Sequence, residues 1–279
     1  MKSPARAACI IGWPARQSRS PRLHGYWIRR HGIDGDYRIE ERRPEEFAAF
    51  VSDLAAHGYV GANVTMPHKD AAFALSEPDA RARAVGAANT LWLDGGTLRS
   101  TNTDVEGFID ALDHSAPGWD RLSRSAVVLG AGGTGRAIAH GFLERGIAEI
   151  HVVNRTRARA EEMRARFGSA IHPATWEDLP RLLRETRILA NATSIGMVGK
   201  DALDIDLSPM PEGSVVGDAV NVPLVTPLLD AAQRLGFRTS NGLEMLLRQA
   251  VRGFELWFGV RPEVTDELRE LVAADIPVR

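Results

Sequence analysis

Six residues, Gly130-Ala131-Gly132-Gly133-Thr134-Gly135, constrain this chain more than any other stretch. They follow a short valine-rich run, 125–129, and open a segment of helical apolar spacing, 135–145. Gly130, Gly132 and Gly135 thereby meet the G-x-G-x-x-G spacing between a strand and a helix. Glycine there allows a tight turn, lets backbone approach a pyrophosphate and permits close helix–strand packing. The amides that open the helix then face an anion. A plain tight turn between packed elements requires only part of this pattern. The spacing predicts a dinucleotide site built from Gly130, Ala131, Gly132, Gly133, Thr134 and Gly135.

The end of the next expected strand, 149–153, selects the dinucleotide. A site for NAD usually carries Asp or Glu about 20 residues beyond the glycines, to take the ribose hydroxyls. Here the strand runs into Asn154-Arg155-Thr156-Arg157-Ala158-Arg159, with three arginines and no carboxylate. Guanidinium groups pair with a 2′-phosphate through charge-assisted bonds. A solvated basic helix start is the poorer account, because cations at a helix N-terminus oppose the macrodipole. NADP is therefore expected over NAD, held by Asn154, Arg155, Thr156 and Arg159.

Strand and helix patterns alternate along the whole chain, which predicts mostly parallel sheets with helices on their faces. Strands are expected at 7–11, 37–40 and 61–65, and helices at 20–30, 44–57 and 68–75. A hairpin of 90–93 and 97–99 turns about Asp94-Gly95-Gly96, and a helix follows at 105–112. The polar stretch 113–124 reads as a connection between domains. The alternation then resumes with strands 125–129, 149–153, 188–192 and 215–219. Helices are expected at 135–145, 158–167, near 176–184, and at 227–235, 242–258 and 265–274. At 279 residues the chain exceeds the usual size of one hydrophobic core, so two domains are expected.

The formal net charge of −2 gives no general reason to expect nucleic acid or an anionic membrane as partner. Cys9 is the only cysteine, so no intrachain disulfide can form and a reducing cytoplasm is the expected location. The opening apolar stretch is too short for a membrane span and reads as a strand. None of the eight histidines forms an H-x-x-x-H pair, so no metal site is expected. His68 reads as a plain loop histidine.

By spacing alone the first hundred residues give only hints. Ser20 reads as an N-cap with Pro21 at the first helical position, which would also attract a carboxylate. Taken with the rest, the motifs resemble the shikimate dehydrogenases nearly end to end. The resemblance rests on Gly12-Trp13-Pro14, Ser18-Arg19-Ser20-Pro21, His24, Asn63-Val64-Thr65-Met66-Pro67-His68-Lys69 and Gly86-Ala87-Ala88-Asn89-Thr90. It continues with Asn102-Thr103-Asp104, Asn154-Arg155-Thr156, Asn191-Ala192-Thr193-Ser194-Ile195-Gly196-Met197, Asn241-Gly242-Leu243 and Gln249.

The resemblance implies an α/β chain of two domains with a cleft between them. Residues 1–105 plus 240–279 would form the substrate domain, and 106–239 a Rossmann-type NADP domain inserted into it. It implies reversible NADP-dependent reduction of 3-dehydroshikimate to shikimate, in the biosynthesis of chorismate and aromatic amino acids. Ser18 and Ser20 would hold the carboxylate, with Asn63, Thr65, Asn89, Asn221 and Gln249 on other polar groups. Lys69 and Asp104 would be the catalytic pair, and Thr193, Ser194, Gly242 and Glu244 would lie along the cofactor. The chain would act on a small molecule as a monomer or homodimer.

Three positions depart from the family pattern: Gln17 for histidine, Asn221 for tyrosine and Glu244 for glycine. The last two bear on turnover and substrate choice. Glu244 either turns into solvent or takes up space beside the nicotinamide. A paralogue acting on quinate, an amino-shikimate or another polyhydroxy carboxylate is the near alternative. An NADP- or metabolite-sensing protein without efficient turnover is the distant one. From the arginine cluster, Arg155→Ala should raise the Michaelis constant for NADP far more than that for NAD in steady-state assays. Equal use of both cofactors by the natural chain would contradict the assignment.

Overall fold

The computed structural model describes residues 6–279, which divide into two compact units. One comprises the residues up to Thr103 with Gln249–Ala274, the other Asp104–Arg248 with Asp275–Arg279. The first unit contains β1 (Arg6–Gly12), α1 (Ser20–Arg30), β2 (Gly35–Glu41), α2 (Pro44–Ser52), β3 (Tyr59–Val64) and α3 (Lys69–Ala74). It continues with β4 (Glu77–Pro78), α4 (Ala80–Val85), β5 (Thr90–Asp94) and β6 (Thr97–Thr101). The second contains α5 (Asp104–Ser115), β7 (Ser125–Leu129), α6 (Gly133–Glu144), β8 (Glu149–Val153), α7 (Arg157–Phe167) and β9 (Ile171–Ala174). After these come α8 (Leu179–Glu185), β10 (Ile188–Asn191), β11 (Val215–Asp218), α9 (Pro227–Arg234) and β12 (Arg238–Ser240). Helix α10 (Gly242–Phe258) begins in the second unit and ends in the first, which α11 (Asp266–Ala273) completes.

Each unit is one six-stranded sheet with helices packed on it. In the first, β1 is buried from Ala7 onward because it lies between β2 and β3, parallel to both. A near-continuous apolar run is what such a strand requires. The β5–β6 hairpin turns on Gly95 and Gly96, both at positive φ, as a two-residue turn between twisted strands demands. Its register sets Asn63 opposite Thr90, and Thr90 opposite Thr101. The ends of β1, β3 and β6 and the start of β5 therefore share one edge of the sheet. The sheet order β2-β1-β3-β5-β6-β4 reverses direction at β1, so that edge carries a switch point.

The second sheet is parallel throughout, in the order β9-β8-β7-β10-β11-β12. Its switch point lies between β7 and β10, outside their carboxyl ends, and the glycine loop follows β7 directly. The expected α/β organisation with two sheets holds.

Several elements differ from expectation. Helix α2 stops at Ser52, five residues before the expected end at 57, because the chain must turn back into β3 through Gly58 at φ +82°. Residues 113–124 are no free connection: Trp119 is fully buried beside Phe142, and its indole donates to the Asp113 carboxylate at 2.9 Å. Helix α4 was not expected, although Asp79 caps its start and Gly86, at φ +69°, ends it. Strand β9 was missed because Pro173 interrupts its pattern; it is an edge strand paired only to β8, where proline is tolerated.

Gly61 in β3 makes a specific packing demand. A Cβ there would fall on the Trp257 ring and the Leu91 carbonyl, and that indole donates to the same carbonyl at 2.8 Å. Neither neighbour can withdraw without breaking this bond. Gly61→Ala should cost about 1–3 kcal/mol, the usual penalty of overpacking. A lowered denaturation midpoint checks this, and an unchanged midpoint would contradict the packing.

Candidate active site

At the shared edge of the first sheet, the loops after β1 and β3 are tied together by Trp13 N–H donating to the Met66 carbonyl at 3.0 Å. Thr65 lies over Gly12, where a Cβ would strike its methyl group, and its amide donates to Ile11. Helix α1 begins differently from expectation. Arg19 holds the N-cap position without a side-chain bond, and Ser20 is already helical. The Ser18 hydroxyl accepts the Ser20 amide at 3.2 Å, and the capping bond expected of the Ser20 side chain does not form. Ser20 itself is buried.

Behind the edge lies a connected set of buried amides and hydroxyls. The Thr103 amide donates to Asn89 Oδ1 at 2.7 Å, and Asn89 Nδ2 donates to Thr103 Oγ1 at 3.1 Å. Thr103 Oγ1 also donates to Gln249 Oε1 at 3.2 Å and lies 3.2 Å from Thr90 Oγ1. Asn63 Nδ2 reaches Thr90 Oγ1 at 3.3 Å, and Tyr37 O–H donates to Asn63 Oδ1 at 2.6 Å. Asn63, Asn89 and Gln249, distant in sequence, thus belong to one network. Polar groups left unpaired here would cost about 1–3 kcal/mol each, which makes the network self-enforcing. Lys69 opens α3 half-buried, with its carbonyl accepting the Ala88 amide. Asp104, buried, opens α5 and so belongs to the other unit.

His68 is not a plain loop residue. It stacks on Phe47 at 4.4 Å and bonds the Arg42 carbonyl at 2.8 Å, and burial holds its pKa below the usual value. His24, which carries part of the resemblance, and Tyr37, which carries none of it, both lie beside Asn63. His24 is completely enclosed and stacks on Tyr37 at 4.1 Å, and burial drives its pKa down from 6.5 to about 3 against a smaller opposing effect of Asn63. The signal available was a histidine four residues after Ser20, on the same helical face.

In the second unit Gly130 sits at φ +101°, and a Cβ there would meet Ala192 and Thr193 at 3.0–3.2 Å. A Cβ on Gly135 would fall on the Gly130 carbonyl, so the loop and α6 are in direct backbone contact. Asn154 accepts the Ala131 amide at 3.1 Å and donates to the Thr156 carbonyl at 2.8 Å, joining the glycine loop to the arginine loop. Arg155, Arg157 and Arg159 are exposed, and Arg157 pairs with Glu161 at 3.3 Å.

Thr193 is held by Asn191, whose Oδ1 accepts both its amide and its hydroxyl, at 3.0 and 2.7 Å. Asn191 in turn donates to Asp218 at 2.9 Å, which also accepts Val220 N–H and the Thr226 hydroxyl. Burial pushes the Asp218 carboxyl up to about 6 against these three bonds. Sequence reading missed Asp218, though a carboxylate ending the apolar run 215–217 was a visible signal. Ser194 and Asn221 are half-buried, and Gly242 rests on the Val220 backbone, where a Cβ would collide. Glu244 does not turn into solvent: it is 7% exposed, and its carboxylate lies 3.4 Å from Arg248.

A parallel sheet that reverses at a glycine loop defines a Rossmann-type dinucleotide fold, here accompanied by a second α/β unit. Comparison with known proteins narrows this class. Residues 10–91 match the model of the shikimate dehydrogenase substrate binding domain, 117–198 that of shikimate / quinate 5-dehydrogenase, and 242–271 that of the shikimate 5′-dehydrogenase C-terminal domain. The chain is 60% identical over 276 residues to a shikimate dehydrogenase (NADP(+)) of Rhodopseudomonas palustris strain TIE-1, covering 99% of each. Among solved structures, the quinate dehydrogenase of Corynebacterium glutamicum in complex with NAD aligns with a TM-score of 0.88 at 28% identity, over 97% of this chain and 99% of that one. The shikimate 5-dehydrogenase of Thermus thermophilus in complex with NADP(H) and shikimate aligns with a TM-score of 0.83 at 31% identity, over 96% and 99%. The chain belongs to the shikimate dehydrogenase family.

The enclosed His24 makes stability depend on pH. The unfolded chain takes up a proton there below about 6.5, whereas the folded chain resists until about 3. Its contribution is complete above 6.5 and is lost on acidification at about 1.4 kcal/mol per pH unit. His24→Phe should flatten the fall in melting temperature between pH 7 and pH 4, measured by scanning calorimetry. An unchanged slope would contradict the enclosed, neutral imidazole.

Proposed function

We propose that this chain catalyses the reversible NADP-dependent reduction of 3-dehydroshikimate to shikimate, a step toward chorismate and aromatic amino acids. The observation that carries this reading is the buried network joining Asn63, Asn89 and Gln249 at the same strand edge as Ser18, Ser20 and Thr65. Such an array suits a ligand bearing a carboxylate and several hydroxyls. Substrate binding is assigned to the first unit and NADP binding to the second.

The second unit fits NADP on three counts. Gly130 and Gly135 leave no room for a side chain, the first amides of α6 are available to a pyrophosphate, and Arg155 and Arg159 suit a 2′-phosphate. Ala131, Gly132, Gly133 and Thr134 complete the phosphate loop, with Asn154 and Thr156 bracing it. Thr193, Ser194, Gly242 and Glu244 are assigned to the nicotinamide side. When bound, NADP supplies or accepts the hydride.

In the reducing direction, the Lys69 ammonium polarises the ring ketone and gives a proton to its oxygen; in the oxidising direction the amine takes the hydroxyl proton. Asp104 is assigned to accept a hydrogen bond from a substrate hydroxyl. Ser18 and Ser20 donate to the carboxylate. Thr65, Asn63, Asn89 and Gln249 fix the hydroxyls, and Asn221 borders the substrate. Similarity to a quinate dehydrogenase bound to NAD favours quinate as a second substrate to consider. Asn154 and the arginines weigh against NAD. We assign the chain to the reducing cytoplasm, as a monomer or homodimer; no helix among the described residues is long and apolar enough to cross a membrane.

Cofactor reduction assayed with shikimate and quinate, each with NADP and NAD, tests this reading: shikimate with NADP should give the highest kcat/KM. A higher value with quinate or with NAD would overturn it. Lys69→Ala should lower turnover about 10²- to 10⁴-fold, the range of general acid–base groups, while NADP affinity stays native. Retention of more than about a tenth of native turnover removes Lys69 from the proton transfer.

A further inference from the structure

We propose that Tyr37, seated flat against His24, is a positioning residue that fixes the Asn63 amide for substrate recognition. The proposal rests on the reading of Asn63 as a substrate contact. It concerns a residue of β2 that contributes no family motif and was not singled out in the sequence.

Three observations carry it. First, the Tyr37 hydroxyl donates to Asn63 Oδ1 at 2.6 Å, the shorter and better placed of the bonds that hold this side chain. Asn63 Nδ2 makes only long bonds, 3.3 Å to Thr90 Oγ1 and 3.5 Å to the Asn89 carbonyl. The two ends of a side-chain amide are nearly equal in shape, so its orientation is set by its partners. A phenol proton aimed at Oδ1 holds the oxygen on the β2 side and directs the N–H groups toward the strand-end network. Asn63 thereby keeps its N–H groups on the network side in long bonds, which a substrate oxygen can replace.

Second, the phenol keeps its proton. Burial raises the phenol pKa well above 10, so the group remains a neutral O–H donor throughout the working range.

Third, the phenol ring is immobilised. It is 5% exposed, stacks on His24 at 4.1 Å with the planes 16° apart, and lies 5.9 Å from Trp257. Neither ring nitrogen of His24 has a hydrogen-bond partner among the described residues. The imidazole acts as an uncharged plate that wedges Tyr37 in place, with Trp27 and Phe254 on its other sides. A ring held this way keeps its hydroxyl within the narrow range that a 2.6 Å bond tolerates.

Tyr37→Phe in the full chain tests the proposal, because it removes one oxygen and keeps the ring and the stack. The Michaelis constant for shikimate should rise about tenfold or more, the scale of one buried hydrogen bond left unmade. The constant for NADP should remain near native, and the melting temperature should fall by only the few degrees that one unmade buried hydrogen bond costs. In an Asn63→Ala background the same substitution should raise the shikimate constant by much less, since the amide it orients is gone. Shikimate affinity measured by calorimetry on the same preparations provides an independent reading. A native shikimate constant in Tyr37→Phe, with a raised one in Asn63→Ala, would overturn the positioning role and leave the substrate reading intact. Native constants in both variants would overturn the substrate reading of Asn63 and the proposal together. A parallel loss of melting temperature, kcat and affinity for both ligands would reduce Tyr37 to a core residue and overturn the proposal.

Discussion

The Asn89 side chain is the interaction on which the first unit depends. Its amide joins the start of β5 to the end of β6 through Thr103, and both meet the Gln249 side chain on α10. Removed from water, each of these groups must find a partner within the protein. These bonds hold the hairpin, Thr103 and Gln249 to one another. The geometry that closes the polar network is thus the geometry that lines the proposed substrate site.

In the second unit, close backbone approach has the corresponding role. Gly130 and Gly135 touch through a carbonyl, which lets α6 begin directly over the end of β7. Around this contact two polar braces set the neighbouring loops: Asn154 joins the glycine loop to the arginine loop, and Asp218 gathers Asn191, Val220 and Thr226. Asp218 carries an electrostatic cost, since burial pushes its carboxyl up to about 6. Three donors aimed at one carboxylate offset that cost and position both Thr193 and the approach to Asn221. Glu244 is handled in a similar way: its buried carboxylate is met by Arg248 one helical turn away.

Much of this was legible before any coordinates. The glycine spacing, the arginines after β8 and the strand–helix alternation are local patterns, and each depends on a few neighbouring residues. Helix α1 and strands β7 and β8 lie where apolar periodicity placed them. Elements without a strong local pattern were harder to read. Strand β12 is three residues long, β9 contains a proline, and α2 ends where the chain must reverse and not where its apolar spacing fades.

The sequence by itself determined the chemistry available: which side chains could take a phosphate, a carboxylate or a proton, and which glycines had to stay bare. Tertiary structure alone decided which of those groups share an environment. The Ser20 amide came to rest on the Ser18 hydroxyl, His24 became a neutral plate because it is enclosed, and Tyr37 reached Asn63 from a strand with no motif. Burial, stacking and hydrogen-bond pairing are properties of neighbours in space. Residues 20, 24, 37 and 63 become neighbours only once α1 packs on its sheet and β1 pairs with both β2 and β3.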